Sequence, residues 1–255
     1  MLRRLRSLAR RLIGVTRVPT YYLPWLTRPG LACVVLINNI ESRFTTGRDA
    51  RGLAATVTQY DADGSLVGVQ RTALDDSLDT REVPVAPTAS GHGFVTVEAP
   101  AIHSDLYVAL VGDESYTATH GRQEFVEQYP ALARAALAAA GRVLSLAGQT
   151  LPLFARDQYV YHGPDSRSHL LLMNLSNVDN RIRVVATRAG AVAGVRLLRL
   201  PPMGSAMLDV ATLAPGAAPL TVDRLRLTGN AWFNLYLVGA GPRDLHGALS
   251  LMHVK

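Results

Sequence analysis

The chain has little of several things on which enzymes and secreted domains depend. One of its 255 residues is cysteine, Cys33. A single thiol excludes an intramolecular disulfide and any cysteine-built zinc finger or iron–sulfur cluster, and it fits a reducing compartment. The only lysine is Lys255. No GxxxxGK[ST] phosphate loop exists, and Schiff-base chemistry has no internal amine to use. The GxSxG nucleophile elbow is missing too. No run of about 20 residues is apolar and free of charge, so no transmembrane helix is expected.

Acids are absent from residues 1–30, which carry seven arginines (Arg3, Arg4, Arg6, Arg10, Arg11, Arg17 and Arg28). The other 225 residues hold 19 basic and 20 acidic groups, so the net charge of +6 belongs to the amino-terminal segment. A uniformly basic nucleic-acid-binding body is not expected, and the arginine arm matches no nucleic-acid motif. On a helical wheel Leu2, Leu5, Leu8, Ala9, Leu12 and Ile13 fall in one arc, and Arg3, Arg4, Arg6, Ser7, Arg10 and Arg11 in the other. This is a basic amphipathic helix. Its arginines run too far for a secretory signal, and no h-region follows. The expected contact is an anionic membrane surface at Arg3, Arg4, Arg6, Arg10 and Arg11. Tyr21, Tyr22 and Trp25, in an aromatic linker, would share that interface. Docking on the body, on a second subunit or on another protein is the alternative, and a transit peptide is a third. The expected location is cytoplasmic, peripheral to the inner face of the membrane.

Beyond residue 30 the pattern is that of short strands. Leu31–Ile37 is a continuous apolar run closed by Asn38-Asn39. Ala55–Tyr60 alternates, Asp61-Ala62-Asp63-Gly64 reads as a hairpin turn, and Leu66–Ala73 returns. Phe94–Val97 and Leu106–Val111 add two more. The turn's first two acids have the spacing of a calcium loop, but the closing glutamate is missing. From about Tyr129 to Ala147 the apolar period changes to that of a helix. Pro130 suits its first turn, and Gly148 and Pro152 end it. After the helix the strand pattern repeats in order: Ser168–Asn174 mirrors Ala32–Asn38, Arg183–Thr187 mirrors the strand ending at Tyr60, and Val195–Leu200 mirrors Val69–Leu74. Leu110-Val111-Gly112 followed by His120-Gly121 is matched by Leu237-Val238-Gly239 followed by His246-Gly247. The expected architecture is mostly all-β: two tandem, duplicated antiparallel β-sandwiches (31–123 and 157–255) joined by a helical connector (124–156) and preceded by a basic helix and linker (1–30).

The run Ser168-His169, an apolar stretch to Asn174, an alternating strand, and Val195-Arg196-Leu197-Leu198-Arg199-Leu200-Pro201-Pro202 resembles small bacterial β-sandwich domains of the sensory-rhodopsin-transducer type. The resemblance implies a binding or adaptor module rather than an enzyme, and often an oligomer. The first half has Ala32-Cys33 where Ser-His would stand.

Chemistry has one dense candidate, Tyr161 to His169. His162, Asp165 and His169 offer ligand types that suit zinc or another divalent metal, with His120, His246 and His253 as possible ligand contacts if the fold brings them close. The spacing of His162 and His169 matches no known ligand signature. Without that site no cofactor is expected. Cys33 lies in an apolar strand and reads as inert. The function expected is therefore binding or scaffolding, peripheral to a membrane or docked on a partner. A metal- or small-ligand-binding protein, possibly an enzyme, is the alternative.

Overall fold

A computed structural model describes residues 14–40, 52–75, 78–113, 115–121, 123–162, 167–213, 215, 221–241 and 250–253. The chain is mostly β, with four antiparallel sheets and two helices among the described residues. The first half contributes β1 (Thr16–Leu26), β2 (Leu31–Asn38), β3 (Leu53–Asp61), β4 (Leu66–Leu74), β5 (Thr80–Pro84), β6 (His92–Glu98), β7 (Leu106–Gly112), β8 (Tyr116–Gly121) and β9 (Gln123–Gln128). Helix α1 (Ala131–Leu146) follows. The second half holds β10 (Phe154–His162), β11 (Arg167–Asn174), β12 (Asn180–Arg188), β13 (Ala191–Leu200), β14 (Ser205–Asp209), the short α2 (Val210–Leu213), β15 (Thr221–Gly229), β16 (Phe233–Ala240) and β17 (Ser250–His253).

The sheets run β4-β3-β6-β1-β9 and β5-β2-β7-β8 in the first half, and β13-β12-β15-β10 and β14-β11-β16-β17 in the second. Strand for strand the two orders are the same, β9 being an added edge. The sandwiches are not side by side. Along β11 and β16 alternate residues serve different cores. Leu170, Leu172, Phe233 and Leu235 pack against the other sheet of their own half, while Leu171, Met173, Tyr236 and Val238 join the core of the first half. β1 and β6 are likewise buried on both faces. The result is a stack of four layers whose two inner sheets, one from each half, meet face to face. Strands buried on both faces read as continuous apolar runs, which is why β11 is legible as a strand but not as a layer; β2 is as apolar in sequence but buries only one face.

The β3–β4 turn seals one margin of that contact. Ser205 donates its backbone N–H to the Ala62 carbonyl at 2.9 Å. Gly64 has φ of +83°, and a Cβ there would collide with the Pro202 carbonyl. The turn needs glycine for its conformation and for the close approach.

Residues 16–26 correct the expected linker: they form a strand, and the first half begins there rather than at residue 31. Tyr21, Tyr22 and Trp25 are 3 %, 0 % and 0 % exposed, so this aromatic run fills the core and is not available to a membrane. Residues 123–128 form an edge strand paired with β1, and 154–156 already belong to β10, so the connector is shorter than expected. Arg3, Arg4, Arg6, Arg10 and Arg11 lie outside the described residues.

Candidate functional site

The proposed metal ligands fall at the end of β10, in the segment after it and at the start of β11. His162 ends β10, its backbone across from Thr221, while β11 with His169 belongs to the facing sheet. Asp165 lies between them, outside the described residues. His169 stands across from Asp209 on β14 and Val238 on β16. Burial lowers its pKa and Arg167 adds to that, against the pull of Asp209. Its imidazole is therefore neutral at neutral pH. His120 on β8 has Nδ1 3.3 Å from the Asp105 carboxylate. Its carbonyl accepts from the Tyr236 hydroxyl at 3.3 Å, and Tyr236 pairs with His253 on β17. That hydrogen bond brings His120 of the first half near a strand of the second, with His169 two rows away on β11. His246 lies outside the described residues. Among the described residues no group of three His, Cys, Asp or Glu is placed to hold a metal ion. Cys33 is buried, and burial pushes its thiol up to about 12, so it is a packing residue.

The densest built polar structure is one that sequence reasoning missed: the seam between the halves. Glu127 on β9 is fully buried and accepts from the Arg17 guanidinium at 3.1 Å and the Tyr129 hydroxyl at 2.5 Å. Its backbone N–H donates to Leu175 O at 2.9 Å, and its carbonyl accepts from Asn177 N at 3.2 Å. Asn177 returns side-chain bonds to both backbone groups of Tyr129. Beside this node the Arg17 guanidinium lies 3.8 Å from the Phe125 ring centroid, Phe125 stacks on Trp232 at 4.9 Å, and Arg156 covers Trp232 at 4.8 Å. The stack runs cation, ring, ring, cation across the seam, so each ring has a guanidinium over it. Deeper in, Asn234 donates to the Tyr22 hydroxyl. Burial, then the neighbouring Glu124 carboxylate, drive the Tyr22 phenol far above its ordinary value, so it stays protonated. These groups come from distant segments, and no spacing along the chain marks them.

A cleft of about 420 Å³ opens at one end of the first half, lined by Arg28, Ala32, Val85, Pro87, Val111 and Asp113 among others. The Arg28 guanidinium is committed to the carbonyls of Thr27 and Gly91, both at 2.8 Å. The cleft therefore brings no set of convergent reactive groups.

Charge divides between the halves. Residues 14–128 hold 14 acids and 8 arginines, a net of −6, while 154–255 hold 6 acids and 11 bases, a net of +5. The near-neutral average outside residues 1–30 conceals this dipole.

No helix among the described residues is long and apolar enough to cross a membrane. The chain matches no protein-family model and no characterised protein sequence.

Proposed function

We propose that the protein is a non-catalytic binding or scaffold protein, attached to an anionic membrane surface by residues 1–13, with the four-layer body as a rigid platform. The observation that carries this reading is the segregation of Arg3, Arg4, Arg6, Arg10 and Arg11 from Leu2, Leu5, Leu8 and Leu12 in an acid-free segment. Such a segment gains from both headgroup charge and the acyl boundary. The shared strand order of the halves supports a duplicated module, and the resemblance to sensory-rhodopsin-transducer-type domains points the same way, to binding rather than catalysis.

The test is co-sedimentation with vesicles. The full chain is expected to pellet with phosphatidylglycerol-containing vesicles and not with pure phosphatidylcholine. Deletion of residues 1–13 should abolish pelleting. The deletion must stop there, because β1 starts at Thr16 and belongs to the core. A full chain that ignores anionic vesicles, or a truncated one that pellets equally, overturns the reading.

A further inference from the structure

Helix α1 confines its polar residues, Arg134, Arg142 and Ser145, to one arc, and among the described residues it is covered on one side. Its 16 residues include two charges, Arg134 and Arg142, and no acid. One side packs on the body: Ala133 and Leu137 meet Tyr129, Val178 and Ala231, and the Arg181 side chain lies against Gly141, the helix's buried residue. The opposite side carries Leu132, Ala136, Ala139, Val143 and Leu146, spaced four, three, four and three residues apart. Leu132, Val143 and Leu146 are 86 %, 68 % and 90 % exposed. These five form one stripe about 20 Å long with no polar residue in it. A continuous exposed apolar stripe of this length marks a contact surface.

Charge and position identify the cover. α1 contributes two arginines and residues 1–13 contribute five, with no acid in either. The two segments also leave the body at one place: a Cβ on Gly14 would stand 3.9 Å from the Pro130 side chain, immediately before α1. A helix–helix seam built from these segments, or from two copies of α1, would gather cations with nothing to neutralise them. An anionic leaflet supplies negative charge and an apolar boundary together, and arginines at the flanks can keep their heads among the phosphates.

We infer that the outer face of α1, at Leu132, Ala136, Ala139, Val143 and Leu146, is a second membrane-contact element that lies in the interface of an anionic bilayer beside residues 1–13. This rests on the membrane reading above and adds a site to it. The helix does not span the bilayer. It lies flat on it and fixes the orientation of the stack.

The experiment compares the full chain with the triple variant Leu132→Glu, Val143→Glu and Leu146→Glu, on vesicles of phosphatidylcholine containing about one third phosphatidylglycerol. The altered side chains are exposed, so the thermal midpoint reports that the body is intact. The variant is expected to bind about tenfold or more weakly at an unchanged midpoint. Separately, Leu146→Cys carries an environment-sensitive fluorophore, the buried Cys33 thiol being unreactive. Its emission is expected to shift to the blue on anionic vesicles only. If the full chain binds while the triple variant binds equally well and the probe stays in water, residues 1–13 act alone and this inference is wrong. If the variant instead changes the oligomeric state and leaves vesicle binding intact, the stripe is a protein–protein seam and the inference is again wrong. If the full chain itself ignores anionic vesicles, the membrane reading falls first.

Discussion

Glu127 shows how much of this molecule depends on single polar residues placed between the halves. A buried carboxylate is tolerated only when its lone pairs are used, and Arg17 and Tyr129 use them. Removing it leaves the Tyr129 hydroxyl and a half-exposed guanidinium without their acceptor. Glu127→Ala is expected to cost about 2 kcal/mol in urea unfolding, since one end of the ion pair is solvent-screened. A loss under about 0.5 kcal/mol would mean the node is ornamental. Acid sensitivity also belongs to residues. Burial works to raise the Asp61 pKa, but bonds from Ser90, the Ala62 N–H and Thr88 outweigh it and hold it below the ordinary value. Its stabilising effect is complete above the unfolded carboxylate pKa of about 4 and is lost as pH falls through the lower folded value. His92 and His169 are both held below the ordinary imidazole value, chiefly by burial. The unfolded chain protonates them first, so their contribution is present above about pH 6.5 and declines as pH falls through their folded values. Two acid-side losses are therefore expected in stability against pH, one beginning near 6.5 and one near 4. His169→Gln should flatten part of the first and Asp61→Asn part of the second. A profile level from pH 7 to pH 5 would contradict the histidine assignment.

At the scale of elements, β1 explains both what was legible and what was not. β2, β3, β4, β7, β11, β12 and α1 announce themselves by apolar period and by Asp-Gly, Pro130 and Gly148. β1 does not, because it carries Pro19 and Pro24 and follows an arginine-rich segment. Proline is excluded from strands bonded on both sides. β1 is bonded on both sides only at Tyr21: Thr16–Tyr21 pairs with β9 and Tyr21–Leu26 with β6. Each proline falls where the strand has one neighbour, so its missing N–H removes no ladder bond. By residue type alone the aromatic trio suits an interface; the neighbours that bury it come from far along the chain. β8, β9, β10 and β15 do not stand out for a different reason: their buried apolar residues are few and set among polar ones, as Phe154 and Val160 are in β10 and Leu225 and Leu227 in β15. The corrected role of β1 has a sharp consequence. Trp25 is fully buried, and its indole N–H donates to the Tyr60 carbonyl at 3.0 Å. Trp25→Ala is expected to destabilise the fold by about 3–5 kcal/mol, the range for large buried aromatics. An interfacial tryptophan would be replaced at almost no thermal cost, and differential scanning calorimetry separates the two outcomes.

At the scale of the molecule, the question is whether two halves of equal strand order behave as two domains. The two-domain division legible in the sequence suggests independence, but the layer order argues against it. Leu171, Met173, Tyr236, Val238 and Leu251 belong to the first half's core cluster although they lie in the second half's strands. Pulling the halves apart would expose them together with the inner face of the β1–β6 sheet. It would also break the Glu127–Arg17–Tyr129 node and the Tyr22–Asn234 bond and separate net charges of −6 and +5. An interface between independently stable domains is more polar and smaller than one that shares a core. The body should therefore unfold as one unit, with a calorimetric enthalpy equal to the van't Hoff enthalpy and a single transition seen alike by both tryptophans. Trp25 lies in the first half's core and Trp232 in the seam. With each replaced in turn by Phe, the remaining one should report the same midpoint once the variant's own stability change is allowed for. Two resolved transitions, one per half, would return the architecture to tandem independent sandwiches. In that case the seam would be a surface on which the halves rest, not a layer of one core.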